Sequence, residues 1–198
     1  MVHRRPNAPR KRPYYVGLLA AAAAHGASHQ AVMEFQVVTD KLLPDIEAGR
    51  TRIVFSYRKD MAAVAAGIED RKTQSGYMKL SSPELTALDL VRYPQSGAGL
   101  DNIATVLSEL AERLQPERLA SLSGAFEKAV VQRLGHLLGR LEHPQVAEPM
   151  FAALSARGPL PWVELDPKQA RDPDLSPPPS ERDDRWRVIV RRPPEIDE

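Results

Sequence analysis

Polar and apolar residues alternate over 32–39, where Met33, Phe35 and Val37 share one face, and again over 51–57, where Ile53, Phe55 and Tyr57 do. A period of two marks a strand with one buried side. Weaker alternation at 67–72 and 76–80, around a Ser75-Gly76 turn, predicts two more strands; Pro44 and Gly49 punctuate the connection between the first pair. Upstream, the apolar run Tyr14–Ala24 follows a basic stretch and imitates the apolar segment of a secretory leader. It is mostly alanine, which is weakly hydrophobic but has the best helix propensity. With Pro13 suited to a first helical turn and Gly26 to the end, the run predicts a short buried helix.

From residue 81 the period changes to that of a helix. Ser81, Pro83 and Glu84 suggest a capping box opening a helix through Leu85, Leu88, Leu90 and Val91 to Tyr93, where Pro94 blocks continuation. Leu100, Ile103, Leu107, Leu110 and Leu114 predict another. Leu119, Leu122, Phe126, Val130, Leu134, Leu137 and Leu141 read as a third, begun near Pro116, with Gly135 and Gly139 placed for close backbone packing. A shorter one runs from about Gln145 to Ala156, ended by Gly158. Beyond it, Pro177-Pro178-Pro179 and an acidic excess make 166–184 an extended or disordered loop. The alternation of Trp186, Val188 and Val190 then predicts a strand over 185–191, which buries nothing alone and should return to the main sheet.

The expected architecture is α+β: a small mixed sheet in the N-terminal half packed by helices, a helical second half, and a C-terminal strand returning to the sheet. Residues 1–12 form a basic arm, 13–165 with 185–191 a single domain, 166–184 its loop and 192–198 a tail. A chain of 198 residues can bury a core without disulfides, and with no cysteine it has none. The missing thiols also exclude a cysteine nucleophile and cysteine-based metal centres. No apolar run reaches the ~20 residues that span a bilayer.

A formal net charge of +1 conceals an asymmetry: residues 1–12 carry Arg4, Arg5, Arg10, Lys11 and Arg12 without an acid, ahead of a mildly acidic body. Such an arm can neutralise phosphates with strong salt dependence, and its prolines keep it extended, so it positions rather than reads sequence. Arg185, Arg187, Arg191 and Arg192 add a second basic cluster around the last strand, and these nine residues are the candidate DNA contacts.

Catalytic patterns are sparse. Asp70-Arg71-Lys72, with Asp45 or Asp60 upstream, has the acid-x-lysine spacing by which Mg²⁺-dependent nucleases hold metal and activate water. Asp166-Pro167-Lys168 repeats the spacing in the tail. Such triplets arise easily by chance in a chain that is 27% charged. His25 and His29 are four apart but lack a third ligand, and Gly26 interrupts them. No phosphate-binding glycine motif or nucleophile elbow is present; Gly97-Ala98-Gly99 reads as a loop. No catalytic residue, metal or cofactor is expected.

Several segments resemble a known family in order. Tyr14-Tyr15-Val16-Gly17-Leu18-Leu19-Ala20, then His25-Gly26 and His29-Gln30, resemble the opening of the C-terminal domain of AbiEi-type antitoxins. Ser82-Pro83-Glu84-Leu85-Thr86-Ala87-Leu88-Asp89-Leu90, Arg133-Leu134-Gly135, and Asp166-Pro167 with Arg185-Trp186-Arg187-Val188 continue it, so that the resemblance covers about residues 13–190. It implies a cytoplasmic, non-enzymatic component of a type IV toxin–antitoxin system. That component opposes an AbiEii-type nucleotidyltransferase toxin without a stable complex, and regulates its own operon. In the family a winged helix-turn-helix precedes this domain and reads the promoter. The sequence shows none, so operator reading is not expected of it while the antitoxin role stands. The alternatives left by the residues themselves are a nuclease using Asp70 and Lys72, or a partner-binding module of a truncated regulator.

Overall fold

A computed structural model describes residues 12–27, 34–74, 76–170 and 176–196. It is an α+β fold with a six-stranded mixed sheet in its N-terminal half, helices after it, and a small sheet near the C-terminus.

The first departure from expectation is at the start. Tyr14–Val16 is a strand (β1), and the helix (α1) is Leu18–Ala24. Proline therefore does not open a helix at residue 13. Tyr-Tyr-Val is β-prone sequence that pairs antiparallel with β2 (Glu34–Thr39), Tyr15 opposite Val38, and parallel with β6 (Gly76–Ser81), Val16 opposite Leu80. Three residues are too few for a period to show. The alanines then form α1 as expected, and Gly26 at φ +75° lets the chain leave it. Residues 28–33, including the expected strand start at 32, lie outside the described residues.

The other strands appear close to their predicted places. β2 pairs parallel with β4 (Thr51–Tyr57), and the 44–49 connection contains an unforeseen short strand, β3 (Ile46–Ala48), that forms a hairpin with β4. β5 (Ile68–Thr73) forms a hairpin with β6, and the order across the sheet is β3-β4-β2-β1-β6-β5. The three-residue β1 thus lies near the middle and, with β2, joins the two hairpins into one sheet.

Helix α2 (Pro83–Arg92) begins one residue later than the capping box suggested. Ser82 is the cap: its Oγ accepts from the Leu85 amide at 3.3 Å and donates to Glu84 Oε2 at 2.8 Å, while Ser81 Oγ pairs with Thr86 Oγ1. Buried Glu84 also accepts from the Gln115 amide, tying α2 to the start of the helix at Pro116–Ser123. α3 (Leu100–Leu110) matches its apolar period and ends in a short 3₁₀ turn at Ala111–Arg113. The long helix expected from Pro116 to Leu141 is two: α4 (Pro116–Ser123) and α5 (Lys128–Arg140). Leu122, Phe126 and Val130 are all buried, so the apolar period runs through the break and hides it. α6 (Pro144–Ser155) closes the helical layer.

The C-terminal strand forms as β9 (Val188–Val190), but it does not return to the main sheet. It is the centre of a second sheet, parallel to β7 (Val163–Glu164) and antiparallel to β8 (Glu181–Asp183). The expected 166–184 loop therefore carries a strand of its own. Trp186, Val188 and Val190 are buried, so the second sheet joins the common core beside α5 without pairing to the first. Gly135 of α5 makes room: a Cβ there would lie 2.3 Å from the Trp186 ring. Gly139, expected to share that packing role, has open space around it.

Candidate functional site

Asp89 sits within α2 between buried Leu88 and Leu90, fully removed from solvent. A carboxylate there is costly unless paired and hydrogen-bonded. It has two partners: Arg58 Nη2 donates to Oδ1 at 2.6 Å, and the Tyr15 hydroxyl donates to Oδ2 at 2.6 Å. Arg58 is itself only 3% exposed, and its guanidinium lies 4.5 Å from the Phe126 ring centroid. The three residues bring together β1, the end of β4 and α2. Burial raises the Asp89 pKa, with Arg58 and the two hydrogen bonds working against that rise. Burial also raises the Tyr15 hydroxyl, and the Asp89 charge adds to it. For Arg58 burial opposes the charge, but Asp89 and the neighbouring tyrosines outweigh it and the pKa rises.

A second arginine borders this network. Arg92 Nη2 donates to Glu127 at 2.9 Å and Nη1 to the Tyr93 hydroxyl, which in turn donates to the Tyr57 carbonyl. A recess of about 480 Å³ opens between them, lined by Arg58, Lys59, Asp60, Arg92, Phe126 and Glu127. Its charges are mixed and its most prominent pair, Arg92 with Glu127, is already closed, so nothing in it selects one ligand charge.

The nine basic residues expected to meet DNA separate into three groups. Arg4, Arg5, Arg10 and Lys11 lie outside the described residues. Arg12 lines a groove of about 740 Å³ with Tyr14, Met61, Ile68, Tyr77 and Lys79. The other four lie on the C-terminal segment, where three are engaged with carboxylates: Arg185 with Glu148 at 2.6 Å, Arg191 with Glu164 at 2.9 Å, and Arg192 with Asp101 at 2.6 Å. Arg185 also lies over Phe151, 4.5 Å from its centroid, and the Arg192 bond lowers the Asp101 pKa.

Arg187 differs. It is exposed, stands at φ +54°, and sits 5.1 Å from the centroid of Trp162. A residue absent from the sequence-based set, Arg182, approaches the same ring at 5.9 Å. Val188 and Val190 are buried, so Ile189 faces out with Glu164 of β7 and Arg182 of β8 opposite it in register, while Arg187 reaches Trp162 from the β8–β9 turn and Arg191 pairs with Glu164. Trp162 belongs to no period that marks it in advance, since prolines 159 and 161 precede it and only two residues of strand follow.

The acid-lysine triplets are committed elsewhere. Asp70 pairs with Lys79 across the β5–β6 hairpin at 2.8 Å, Asp45 with Arg52 at 2.6 Å, and Asp60 accepts from the Ala63 amide. Asp166 accepts from the Lys168 amide and the Gln169 side chain. Among the described residues, no three His, Asp or Glu side chains gather as a metal site. His25 Nε2 contacts the Ser81 carbonyl at 2.7 Å, and His29 lies outside the described residues. Among the described residues, His136 meets a carboxylate: its Nδ1 is 2.8 Å from Asp183, where the small sheet docks on α5.

Residues 15–140 match the family model for the AbiEi antitoxin C-terminal domain. The chain belongs to that family. Its defining span holds the whole Tyr15–Arg58–Asp89 network and the Ser82 cap, whereas the Trp162 surface and the resemblance seen at Arg185-Trp186-Arg187-Val188 lie beyond it. The AbiEi family is one of antitoxins and not an enzyme family. Among solved structures, that of the RV2827C protein from Mycobacterium tuberculosis is similar in fold, with a TM-score of 0.63 at 17% identity. The similarity covers 89% of this chain but 62% of that one, so the chain spans less than two thirds of that protein. No curated protein matches it. No helix among the described residues is long and apolar enough to cross a membrane.

Proposed function

We propose that the chain is the antitoxin component of a type IV toxin–antitoxin system, acting in the cytoplasm against an AbiEii-type nucleotidyltransferase toxin and contributing to regulation of its operon. The observation that carries this reading is the match to the AbiEi antitoxin domain over residues 15–140, which takes in the buried charge network and the capped helix α2. The antagonism proceeds without a stable complex between the two proteins. Auxiliary contacts to promoter DNA come from the arm, through Arg4, Arg5, Arg10, Lys11 and Arg12, and from Arg187. Arg185, Arg191 and Arg192 each hold a carboxylate of the fold, so they reach phosphate only by exchanging that partner.

Co-expression with the neighbouring toxin tests this. Growth should be restored when the chain is induced, and the purified pair should elute separately on size exclusion. A toxin that stays fully lethal beside abundant, folded chain would sink the reading.

A further inference from the structure

The outer face of the small C-terminal sheet presents an exposed tryptophan near two guanidiniums that have no carboxylate at ion-pair distance among the described residues. Trp162 is 38% exposed, with Arg187 at 5.1 Å and Arg182 at 5.9 Å from its ring centroid. The acids nearby are mostly spoken for: Glu164 is closed by Arg191, Glu181 by Arg140, and Asp183 faces His136, which leaves Asp184 in the β8–β9 turn. Arg187 reaches the ring from a left-handed backbone conformation, which a non-glycine residue adopts at a cost. Strain of this kind gathers at sites of function.

We propose that this face binds single-stranded nucleic acid, with an unpaired base stacked on Trp162 and flanking phosphates on Arg182 and Arg187. At 5.9 Å, Arg182 lies at the outer limit of about 6 Å for attraction to a ring face. It is exposed and loosely held there, so it can swing to a phosphate and free the ring for a base. A duplex does not suit the ring, because its bases are stacked on one another and show only their edges in the grooves. A protein partner does not suit the area. Three strands of two or three residues make a platform of roughly 10 Å by 10 Å, against the roughly 800 Å² per partner of a stable protein interface. That platform suits one or two nucleotides. The proposal goes beyond the antitoxin reading and stands on this geometry alone, so neutralisation of a toxin is not its readout.

The test titrates the full chain with labelled ten-nucleotide oligo-dT, oligo-rU and a duplex of the same length at two salt concentrations, following anisotropy and tryptophan emission. The single strands should bind at least about tenfold more tightly than the duplex and quench the emission of Trp162, Trp186 being buried. Trp162→Ala should weaken single-strand binding by about 5- to 100-fold, and Trp162→Phe should restore most of it. Arg182→Gln and Arg187→Gln should each lower the salt slope by about 0.7. Preference for rU or dT would tell RNA from DNA, and either supports the proposal. Equal binding of duplex and single strand, or single-strand binding that survives Trp162→Ala unchanged, would assign the contact to the basic arm and overturn it. So would a face that ignores every oligonucleotide at about 100 μM yet is covered by an acidic protein.

Discussion

Arg58 and Arg187 both lie against an aromatic ring, one on Phe126 and the other on Trp162, and the two sites could hardly differ more in role. At the first, a guanidinium is sealed from water with a carboxylate and a phenol completing its surroundings. At the second, two guanidiniums share an exposed ring and, among the described residues, no acid lies at ion-pair distance from either. The difference teaches how to tell charge that holds a fold together from charge turned outward. The deciding features are burial and the presence of a counter-ion, and the arginine–aromatic contact itself decides nothing. Deleting a buried, paired charge leaves its partner uncompensated in a medium that solvates it poorly. Deleting an exposed one returns a side chain's worth of surface to water.

The comparison breaks first at Arg58→Met, which strands the buried Asp89 carboxylate. Urea denaturation should show a loss of about 3–5 kcal/mol. A loss under 1 kcal/mol would mean that the network is wetter than its burial implies. Tyr15→Phe removes one charge-assisted hydrogen bond and should cost about 1.5–3 kcal/mol at neutral pH. It also carries a sign. The Tyr15 hydroxyl is raised in the folded protein, so above about pH 10 the unfolded chain loses a proton that the folded one keeps. Stability then falls as pH rises, and this share of the alkaline loss should vanish in Tyr15→Phe, narrowing the gap to wild type. A gap that widens between pH 9 and 11 would contradict the assignment.

Smaller effects sharpen the contrast. Ser82→Ala removes the cap of α2 and should cost about 1 kcal/mol in the same denaturation. Arg187→Gly relieves a left-handed residue while loosening the unfolded chain, and the two should cancel to within about 0.5 kcal/mol. A melting curve that moved as far as that of Tyr15→Phe would show Arg187 to be a structural residue.

How much of this could be read in advance follows from the range of each interaction. The strands at 51–57 and 76–80 and the helix at 83–92 were legible because alternation, capping and proline punctuation are local. The break between α4 and α5 was hidden because buried Phe126 keeps the apolar period intact across it. The second sheet was hidden because β7 is two residues long and follows a proline-rich stretch. In the network, Tyr15 and Asp89 are 74 residues apart and Arg58 and Asp89 are 31 apart, so no spacing rule joins them. The leucines on either side of Asp89 place an acid inside an apolar helix, but nothing local names the partners it needs. Among the C-terminal arginines, composition made all four look alike, and only the positions of Glu148, Glu164 and Asp101 set Arg187 apart.

The 74-residue separation of Tyr15 and Asp89 also bears on the order of events at the ribosome. At roughly 5–20 residues per second, the tyrosine leaves the decoding centre about 4–15 s before its acceptor is added. β1 waits almost as long for β6, since Val16 meets Leu80 across the sheet. The centre of the main sheet is therefore among its last parts to be made whole. Until β6 has emerged, the nascent chain holds the β3–β4 hairpin and a β1 with only β2 beside it, a state in which a holdase has reason to stay bound.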